Sequence, residues 1–410
     1  MGGLTAQMLA AMAGGATRDL ASGRRPNPRD LLLTPANARR LTAELSRMRG
    51  AAMKMGQLLS MESGDFLPPE LAQILSGLRA DAHHMPPSQL KQVLIAQYGK
   101  DFLKRFKRFD VHPIASASIG QVHRATTLDG GEIALKIQYP GIRAAIDADI
   151  ANLGSLIRLS GLVPKEIDLK PLLEEARQQL HEEADYAREA AQLTEFAQRL
   201  EGHADFAVPK PHADYSTGDI LAMDFMPGRP IETLANSDQT ITDTALTALF
   251  QLFLTELFDW RHVQTDPNFA NYLFDPDTGR IVLLDFGAAR KFSKDTSDQF
   301  QALLRPGDPS AALTDLGYLR PQTPVGQKET VLEIAALLQP ALSAEIFDFG
   351  DTRLLEQLRR IGQHLGIDQG YAEVPRIEAL FIQRKLAGLV LLATRLSAQV
   401  PMRRLLAPYL

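Results

Sequence analysis

The stretch TDPNFANYLFDPDTGRIVLLDFGAAR, residues 265–290, decides how the rest of the chain is interpreted. Residues Tyr272 to Phe274 have the pattern of a short strand, and the segment 275–279, DPDTG, has the composition of a turn. Arg280 to Leu284 is a mostly apolar run that has the pattern of the returning strand. The stretch therefore predicts a β-hairpin.

Polar side chains stand at both feet of this hairpin. Asp266 and Asn271 form a D-x-x-x-x-N pattern before the first strand, and Asp285 opens a D-F-G triplet after the second. Mg2+ prefers carboxylate and amide oxygens together with phosphate oxygens, so Asn271 and Asp285 are candidate metal ligands for a Mg2+-nucleotide. Asp266 would then lie nearer the acceptor oxygen, as a base or an orienting group. An ordinary hairpin with a polar turn is the alternative, which the co-occurrence of both patterns disfavours.

The composition limits the classes of protein to be considered. The 410-residue chain is 45% hydrophobic, which allows two or three packed units. Its formal net charge of -5 does not indicate nucleic-acid binding. The absence of cysteine excludes disulfides and thiolate metal sites, and the nine histidines show no H-E-x-x-H spacing. No zinc site is therefore expected.

No segment has the sequence of a convincing membrane span. Residues 1–17 carry no charged side chain, but they fall short of the ~20 residues that cross a bilayer and lack the basic start of a signal peptide. Residues 18–54 hold nine Lys or Arg against three Asp or Glu, a balance of +6. This segment could bind anionic membrane lipids, whereas a solvated helix face is the alternative. We expect a cytoplasmic protein that lies peripherally on a membrane surface.

The front of the chain is predicted to be helical. Apolar residues recur at three- and four-residue steps from Leu41 to Leu59, which predicts an amphipathic helix containing the sequence KMGQ at 54–57. Pro68 opens a second helix, and a third is predicted from Pro86-Pro87 to Tyr98.

The pattern changes to strands after Val111. Ile119 to Ala125 and Glu132 to Gln138 are predicted as strands joined by a turn at 129–131, DGG. A run of small residues precedes the first strand, where a backbone could approach phosphate closely. Lys136 lies on the second strand, as either a solvent-facing residue or a phosphate ligand.

A long acidic helix is predicted from Pro171 to Leu200. It carries Glu183, Asp185 and Glu189, of which the last two lie one turn apart and would share a face. A strand is predicted from Ile220 to Phe225, and the chain beyond Thr240 is predicted to be helical apart from the hairpin. The small-residue loop, strand lysine, helix glutamate, D-x-x-x-x-N and D-F-G follow the order of parts in a protein-kinase-like nucleotide fold.

Five motifs in this order resemble the UbiB (ADCK-type) family of atypical kinase-like proteins. They are K-x-G-Q at 54–57, the alanine-rich loop ASASIGQVH at 115–123, EADY at 183–186 followed by REA at 188–190, TDPN at 265–268, and DFG at 285–287. The resemblance implies an α+β, bilobal kinase-like fold with a helical extension packed over the active site. The corresponding segments are 1–110 for the extension, 111–226 for the N-lobe and 227–410 for the helical C-lobe.

The resemblance also implies a role for each matched residue. Lys136 and Glu189 correspond to the strand-lysine and helix-glutamate pair, Asp266 to the catalytic-loop aspartate, and Asn271 with Asp285 to the magnesium ligands. The implied nucleotide-binding residues are Ala115, Ser116, Ala117, Ser118 and Gly120 of the loop, Lys136 of the strand, Lys54 and Gln57 of the extension, and Glu183 and Asp185 of the acidic helix.

The activity that the resemblance implies is ATP hydrolysis with Mg2+, linked to ubiquinone (coenzyme Q) biosynthesis at a membrane surface. Partners would be quinone-pathway proteins or intermediates. Protein-kinase activity is expected to be suppressed, because Asn268 replaces the usual catalytic-loop lysine and no A-P-E triplet follows D-F-G. A non-catalytic pseudokinase that organises a biosynthetic complex and an orthodox Ser/Thr kinase are the alternatives.

Overall fold

The computed structural model describes residues 85–160 and 170–410, so Lys54, Gln57 and the basic segment 18–54 lie outside the described residues. The chain forms two compact units. In the described parts, unit 1 comprises 85–160, 170–186 and 213–222, and unit 2 comprises 187–212 and 223–410.

Unit 1 combines a small sheet with helices. Its elements are α1 (Pro87–Tyr98), β1 (Phe106–Phe109), β2 (Ala115–Ser116), β3 (Gly120–Thr127), β4 (Glu132–Gln138), α2 (Ile142–Ser160), α3 (Lys170–Ala184) and most of β6 (Ile220–Asp224). The sheet order is β1-β3-β4-β6, with β2 paired to β3. Strand β3 runs antiparallel to β4, with Gly130 in the connecting turn at φ 94°. The predicted hairpin is thus confirmed.

The core of unit 1 lies between α1 and one face of this sheet. Leu90 and Leu94 of α1 pack in one cluster with Ile133, Leu135 and Ile137 of β4. The predicted helix from Pro87 to Tyr98 is therefore confirmed, and it shares its core with the strands. Strand β1 lies within the segment predicted to be wholly helical, and this part of the prediction is wrong.

The acidic segment forms two helices, so the predicted continuous helix is wrong. Helix α3 ends at Ala184 and α4 (Tyr186–Arg199) begins two residues later. The Ala184 carbonyl accepts hydrogen bonds from Gln138 Nε2 at 2.7 Å and from Arg143. The Ala184 carbonyl is therefore engaged by side chains, whereas a continuous helix would require it to accept from the backbone N–H four residues later. Asp185 lies at the break, so it does not share a helix face with Glu189.

Unit 2 is mainly helical. Its elements are most of α4, β5 (Phe206–Ala207), β7 (Arg229–Pro230), α5 (Gln239–Leu254), a π-helical segment (Thr255–Trp260), β8 (His262–Gln264), β9 (Tyr272–Asp275), β10 (Arg280–Leu283), β11 (Ala289–Lys291), α6 (Lys294–Leu304), α7 (Ser310–Asp315), α8 (Val325–Ser343), β12 (Phe347–Asp348), α9 (Arg353–Gln363), α10 (Ile377–Arg395), β13 (Gln399–Val400) and α11 (Met402–Leu406).

The hairpin predicted from residues 272–284 is confirmed. Strand β10 pairs antiparallel with β9, and the sheet order is β5-β10-β9-β7. Asp275 closes the turn by accepting hydrogen bonds from the Asp277 N–H at 3.0 Å and from the Thr278 hydroxyl at 2.7 Å. The short pairs β8–β11 and β12–β13 were not predicted, because segments of two or three residues carry no readable period.

One helix of the described residues is long and apolar enough to cross a membrane. It covers Gln239–Trp260, which includes α5 and the π-helical segment, and its most apolar window has a mean hydropathy of 1.2. Because 61% of this window is buried inside the protein, packing in the core also explains the apolar composition of the helix.

Candidate active site

The loop between β8 and β9 brings two of the predicted site residues together. Asn271 Nδ2 donates a hydrogen bond to Asp266 Oδ2 at 2.9 Å. A 3-10 turn, Phe269–Asn271, leads up to Asn271. Asn268 caps the start of this turn, and its Oδ1 accepts a hydrogen bond from the Ala270 N–H at 3.2 Å. The D-x-x-x-x-N spacing therefore closes on itself and fixes the Asn271 amide against the Asp266 carboxylate.

Asp285 is held by the hairpin and by its own triplet. The Leu284 N–H donates to the Asn271 carbonyl at 3.0 Å, which ties the end of β10 to the start of β9. Asp285 Oδ1 accepts from the Gly287 N–H at 2.8 Å. Asn271 and Asp285 line the same small cavity of unit 2.

Three residues of helix α4 contact the D-F-G segment. The Arg188 guanidinium donates to the carbonyls of Gly287 at 2.6 Å and Ala289 at 2.9 Å. The Phe196 ring stacks on Phe286 with centroids 4.4 Å apart. Glu189 is 2% exposed, and a Cβ added to Gly287 would lie 3.6 Å from its carboxylate. The Glu189 carboxylate is thus adjacent to the glycine of the triplet.

Lys136 is buried on β4 in unit 1. It is 9% exposed, and its Nζ lies 5.5 Å from the centroid of the Tyr186 ring, within the range of a cation–π interaction. The alternative of a solvent-facing strand residue is therefore wrong. Its pairing with Glu189 stays a prediction.

The alanine-rich loop forms a short strand and a tight turn. Ala115 and Ser116 pair with Val122 and Gln121 as strand β2, and the Ala117 N–H donates to the Gly120 carbonyl at 2.9 Å. A Cβ at Gly120 would lie 2.3 Å from the Ile137 carbonyl oxygen, so only glycine fits this position. The side chains of this loop are small enough for a ligand to approach the backbone.

The loop is tied to one of the acidic residues. Ser118 Oγ donates to Glu183 Oε2 at 2.6 Å. Asp185 is exposed at the break between α3 and α4. The predicted contacts of these two acids with Lys54 and Gln57 fall outside the described residues.

Helix α10 supplies site residues that the sequence did not reveal. Arg384 Nη2 lies 3.3 Å from Asp266 Oδ1, and Lys385 Nζ donates to Gln264 Oε1 at 2.8 Å and to the Tyr272 hydroxyl. A Cβ at Gly388 would lie 2.2 Å from Pro267 Cβ, so the helix packs directly on the loop between β8 and β9. The available indication was the adjacent cations Arg384 and Lys385, together with Gly388, in the middle of a mostly apolar helix.

A buried polar cluster lies next to the loop between β8 and β9. Lys385 and Glu256 are 5% and 2% exposed. Burial raises the pKa of Glu256 to about 7, against the opposing charge of Lys385. Burial lowers the pKa of Lys385, but Tyr272, Glu256 and Asp266 outweigh it and the net shift is upward. Both side chains line the cavity of about 10 Å³ that Asn271 and Asp285 also line, which has room for about one water molecule.

The donor set of the loop fits Mg2+ rather than a softer metal. Among the described residues there is no cluster of three or more His, Cys, Asp or Glu that could enclose a metal ion. An amide oxygen from Asn271 and a carboxylate from Asp285 suit a hard ion that completes its shell with phosphate oxygens and water. These two residues would therefore hold Mg2+ only together with a ligand that supplies further oxygens.

Comparison with known proteins defines the class to which this fold and site belong. Residues 77–306 match the ABC1 atypical kinase-like domain. The chain therefore belongs to the ABC1 family of atypical kinase-like proteins. This confirms the resemblance stated from the motifs, and with it the α+β kinase-like fold.

The particular relatives include named atypical kinases. The chain is 35% identical over 393 residues to "Atypical kinase COQ8, mitochondrial" of Saccharomyces cerevisiae, covering 93% of this chain and 78% of the yeast protein. It is 33% identical over 411 residues to "Atypical kinase coq-8, mitochondrial" of Caenorhabditis elegans, covering 98% of this chain and 54% of the nematode protein. The chain thus spans about half of the nematode relative.

A solved structure has a similar fold. The complex of Rv3197 with erythromycin from Mycobacterium tuberculosis matches with a TM-score of 0.62 and 25% identity, covering 91% of this chain and 95% of that one.

Proposed function

We propose that this chain is a Mg2+-dependent, ATP-binding atypical kinase or ATPase that supports ubiquinone (coenzyme Q) biosynthesis. The observation that carries the proposal is the cluster formed by Asp266, Asn271 and Asp285, which the hairpin and the hydrogen bonds of its loop hold together. Its relatives in yeast and nematode are named atypical kinases. A nucleoside triphosphate supplies the transferable phosphoryl group and the phosphate oxygens that complete the coordination shell of Mg2+.

The candidate residues of the β8–β9 loop, the hairpin, β4 and the alanine-rich loop have distinct roles in this proposal. Asn271 and Asp285 bind Mg2+, and Asp266 orients the attacking oxygen or accepts its proton. Arg384 helps to fix the position of the Asp266 carboxylate through their ion pair. Buried Lys136 neutralises phosphate charge, and the backbone of the Ala115–Gly120 loop contacts the phosphates.

The catalytic loop favours a restricted acceptor. Asn268 stands where protein kinases carry a lysine, and its side chain is used to cap the 3-10 turn. An amide in that role brings no positive charge to a transferring phosphoryl group. We therefore propose that transfer to ordinary peptide substrates is suppressed and that the substrates are quinone intermediates or the proteins that process them.

Phosphate release tests this proposal directly. The full chain is assayed with ATP, with and without Mg2+ and with anionic or neutral liposomes. We expect Mg2+-dependent release that Asp285→Asn reduces to background, because the amide removes the charge that binds the metal. Unchanged turnover in Asp285→Asn would contradict the assignment. A comparison of quinone intermediates in cells with wild type or Asp285→Asn then tests the pathway.

A non-catalytic pseudokinase is the second candidate. In this hypothesis the chain binds nucleotide and organises a biosynthetic complex without releasing phosphate. This hypothesis is favoured if the wild type binds nucleotide with Mg2+ but releases no phosphate in all of the liposome conditions.

A further inference from the structure

Lys385 is a buried cation that the proposed reaction does not use. It lies on α10, 5% exposed, in a helix whose other buried residues are apolar or alanine. Burying an ammonium group is costly unless it is paired and hydrogen-bonded. An apolar residue of the same length would fill the space at a lower cost, so the hydrogen bonds of this group are the feature to explain.

The Lys385 ammonium group joins two segments that carry predicted catalytic residues. It donates to Gln264 Oε1 at 2.8 Å and to the Tyr272 hydroxyl. Gln264 is the last residue of β8, two positions before Asp266, and Tyr272 directly follows Asn271. One cation therefore holds both ends of the loop that bears Asp266 and Asn271.

The same cluster reaches the D-F-G triplet through Gln264. The Gln264 side chain accepts from Lys385 and donates from Nε2 to the Asp285 carbonyl at 3.2 Å. Its backbone N–H donates to Glu256 Oε2 at 3.3 Å, which places an acid in the cluster to balance the buried cation. The ammonium group is thus linked to the Tyr272 side chain next to Asn271 and, through Gln264, to the backbone of Asp285.

We propose that Lys385 is a positioning residue that sets the separation of Asn271 and Asp285 for Mg2+ binding. The inference rests on the proposed function, because it assumes that these two residues are the metal ligands. Lys385 does not touch the nucleotide or the metal. Residues that orient metal ligands from behind change metal affinity by about 10- to 100-fold when they are removed.

The experiment compares three variants of the full chain. Lys385→Met keeps the length of the side chain and removes the charge and the donors, and Tyr272→Phe removes only the hydroxyl that accepts from Lys385. Lys328→Met is the matched control, since Lys328 is an exposed lysine of α8 in the same unit. For each variant, nucleotide affinity is measured by calorimetry over a range of Mg2+ concentrations, together with thermal unfolding.

The proposal predicts a specific loss in metal dependence. Lys385→Met raises the half-saturating Mg2+ concentration at least about tenfold, while nucleotide affinity without Mg2+ changes less than about twofold. Tyr272→Phe shifts the Mg2+ dependence in the same direction, and Lys328→Met does not. A merely structural lysine would lower the unfolding temperature and leave the Mg2+ dependence of the folded protein unchanged, which overturns the proposal.

Two further outcomes are distinguishable. If Lys385→Met does not fold, an unchanged Mg2+ dependence in folded Tyr272→Phe overturns the inference. If the wild type binds nucleotide in a Mg2+-dependent way but releases no phosphate, the proposed activity fails while the role of Lys385 is still decided by the calorimetry. If wild-type nucleotide affinity does not depend on Mg2+, both fail.

Discussion

The neighbouring strand leaves room only for glycine at position 120, at the end of the alanine-rich loop. A Cβ on this residue would lie 2.3 Å from the Ile137 carbonyl oxygen and 3.2 Å from the Gln138 Cα, which are backbone atoms of the neighbouring strand. These atoms cannot move away without breaking the β3–β4 pairing. The glycine is therefore required by the packing of unit 1, whatever ligand the loop binds.

We expect Gly120→Ala to destabilise the protein by about 1–3 kcal/mol, the usual cost of forcing an extra methyl into a packed site. Gly218→Ala is the control, because a Cβ at Gly218 meets nothing within 4 Å. Chemical denaturation measures both variants. Equal free energies of unfolding for the two would show that the strand yields easily and that the packing argument is wrong.

The proximity of candidate site residues could be predicted where a motif is local in sequence. Asp266, Asn271 and Asp285 lie within twenty residues of one another beside one hairpin, and the structure brings Asn271 to 2.9 Å from Asp266. Arg384 and Lys385 were missed because they lie more than a hundred residues away in sequence. Their contacts arise only when α10 packs on the loop, which no local pattern encodes.

Helix α10 supports the loop between β8 and β9. Gly388 allows the helix to approach Pro267 so closely that an added Cβ would lie 2.2 Å from the proline Cβ. Glycine in a helix interior costs about 1 kcal/mol relative to alanine, so its presence is explained by this close approach.

Gly388→Ala should displace Pro267 and the adjacent Asp266. We expect Mg2+-dependent phosphate release to fall about tenfold or more, since small displacements of a positioned catalytic group are costly. Gly362→Ala in α9 is the matched control, because it makes the same change in a helix with nothing within 4 Å of the new Cβ. Full activity in Gly388→Ala, with unchanged stability, would contradict the support role of α10.

Elements were predictable where their periods were long enough to read. The β3–β4 and β9–β10 hairpins and helix α1 were found because turn residues and Pro87 mark their ends. The break at Asp185 was missed because its cause is tertiary. Gln138 and Arg143, some forty residues earlier, take the Ala184 carbonyl, which no feature of the acidic stretch reveals.

We expect the front of the chain to attach the protein to an anionic membrane surface. Residues 18–54 carry an excess of basic side chains and lie outside the described residues. We expect removal of residues 1–33 to weaken co-sedimentation with anionic liposomes while nucleotide binding is retained, because anionic lipids attract basic segments by about 1 kcal/mol per charge. Equal co-sedimentation of the shortened and full chains would reject this prediction.

The central claim is that Asn271 and Asp285 bind Mg2+ together with a nucleotide. Calorimetric titration of ATP into the full chain, with and without Mg2+, tests it most directly, using wild type and Asp285→Asn. We predict that Mg2+ strengthens ATP binding to the wild type at least about tenfold and does not strengthen binding to Asp285→Asn. The same Mg2+ effect in both proteins, or none in the wild type, would contradict the account.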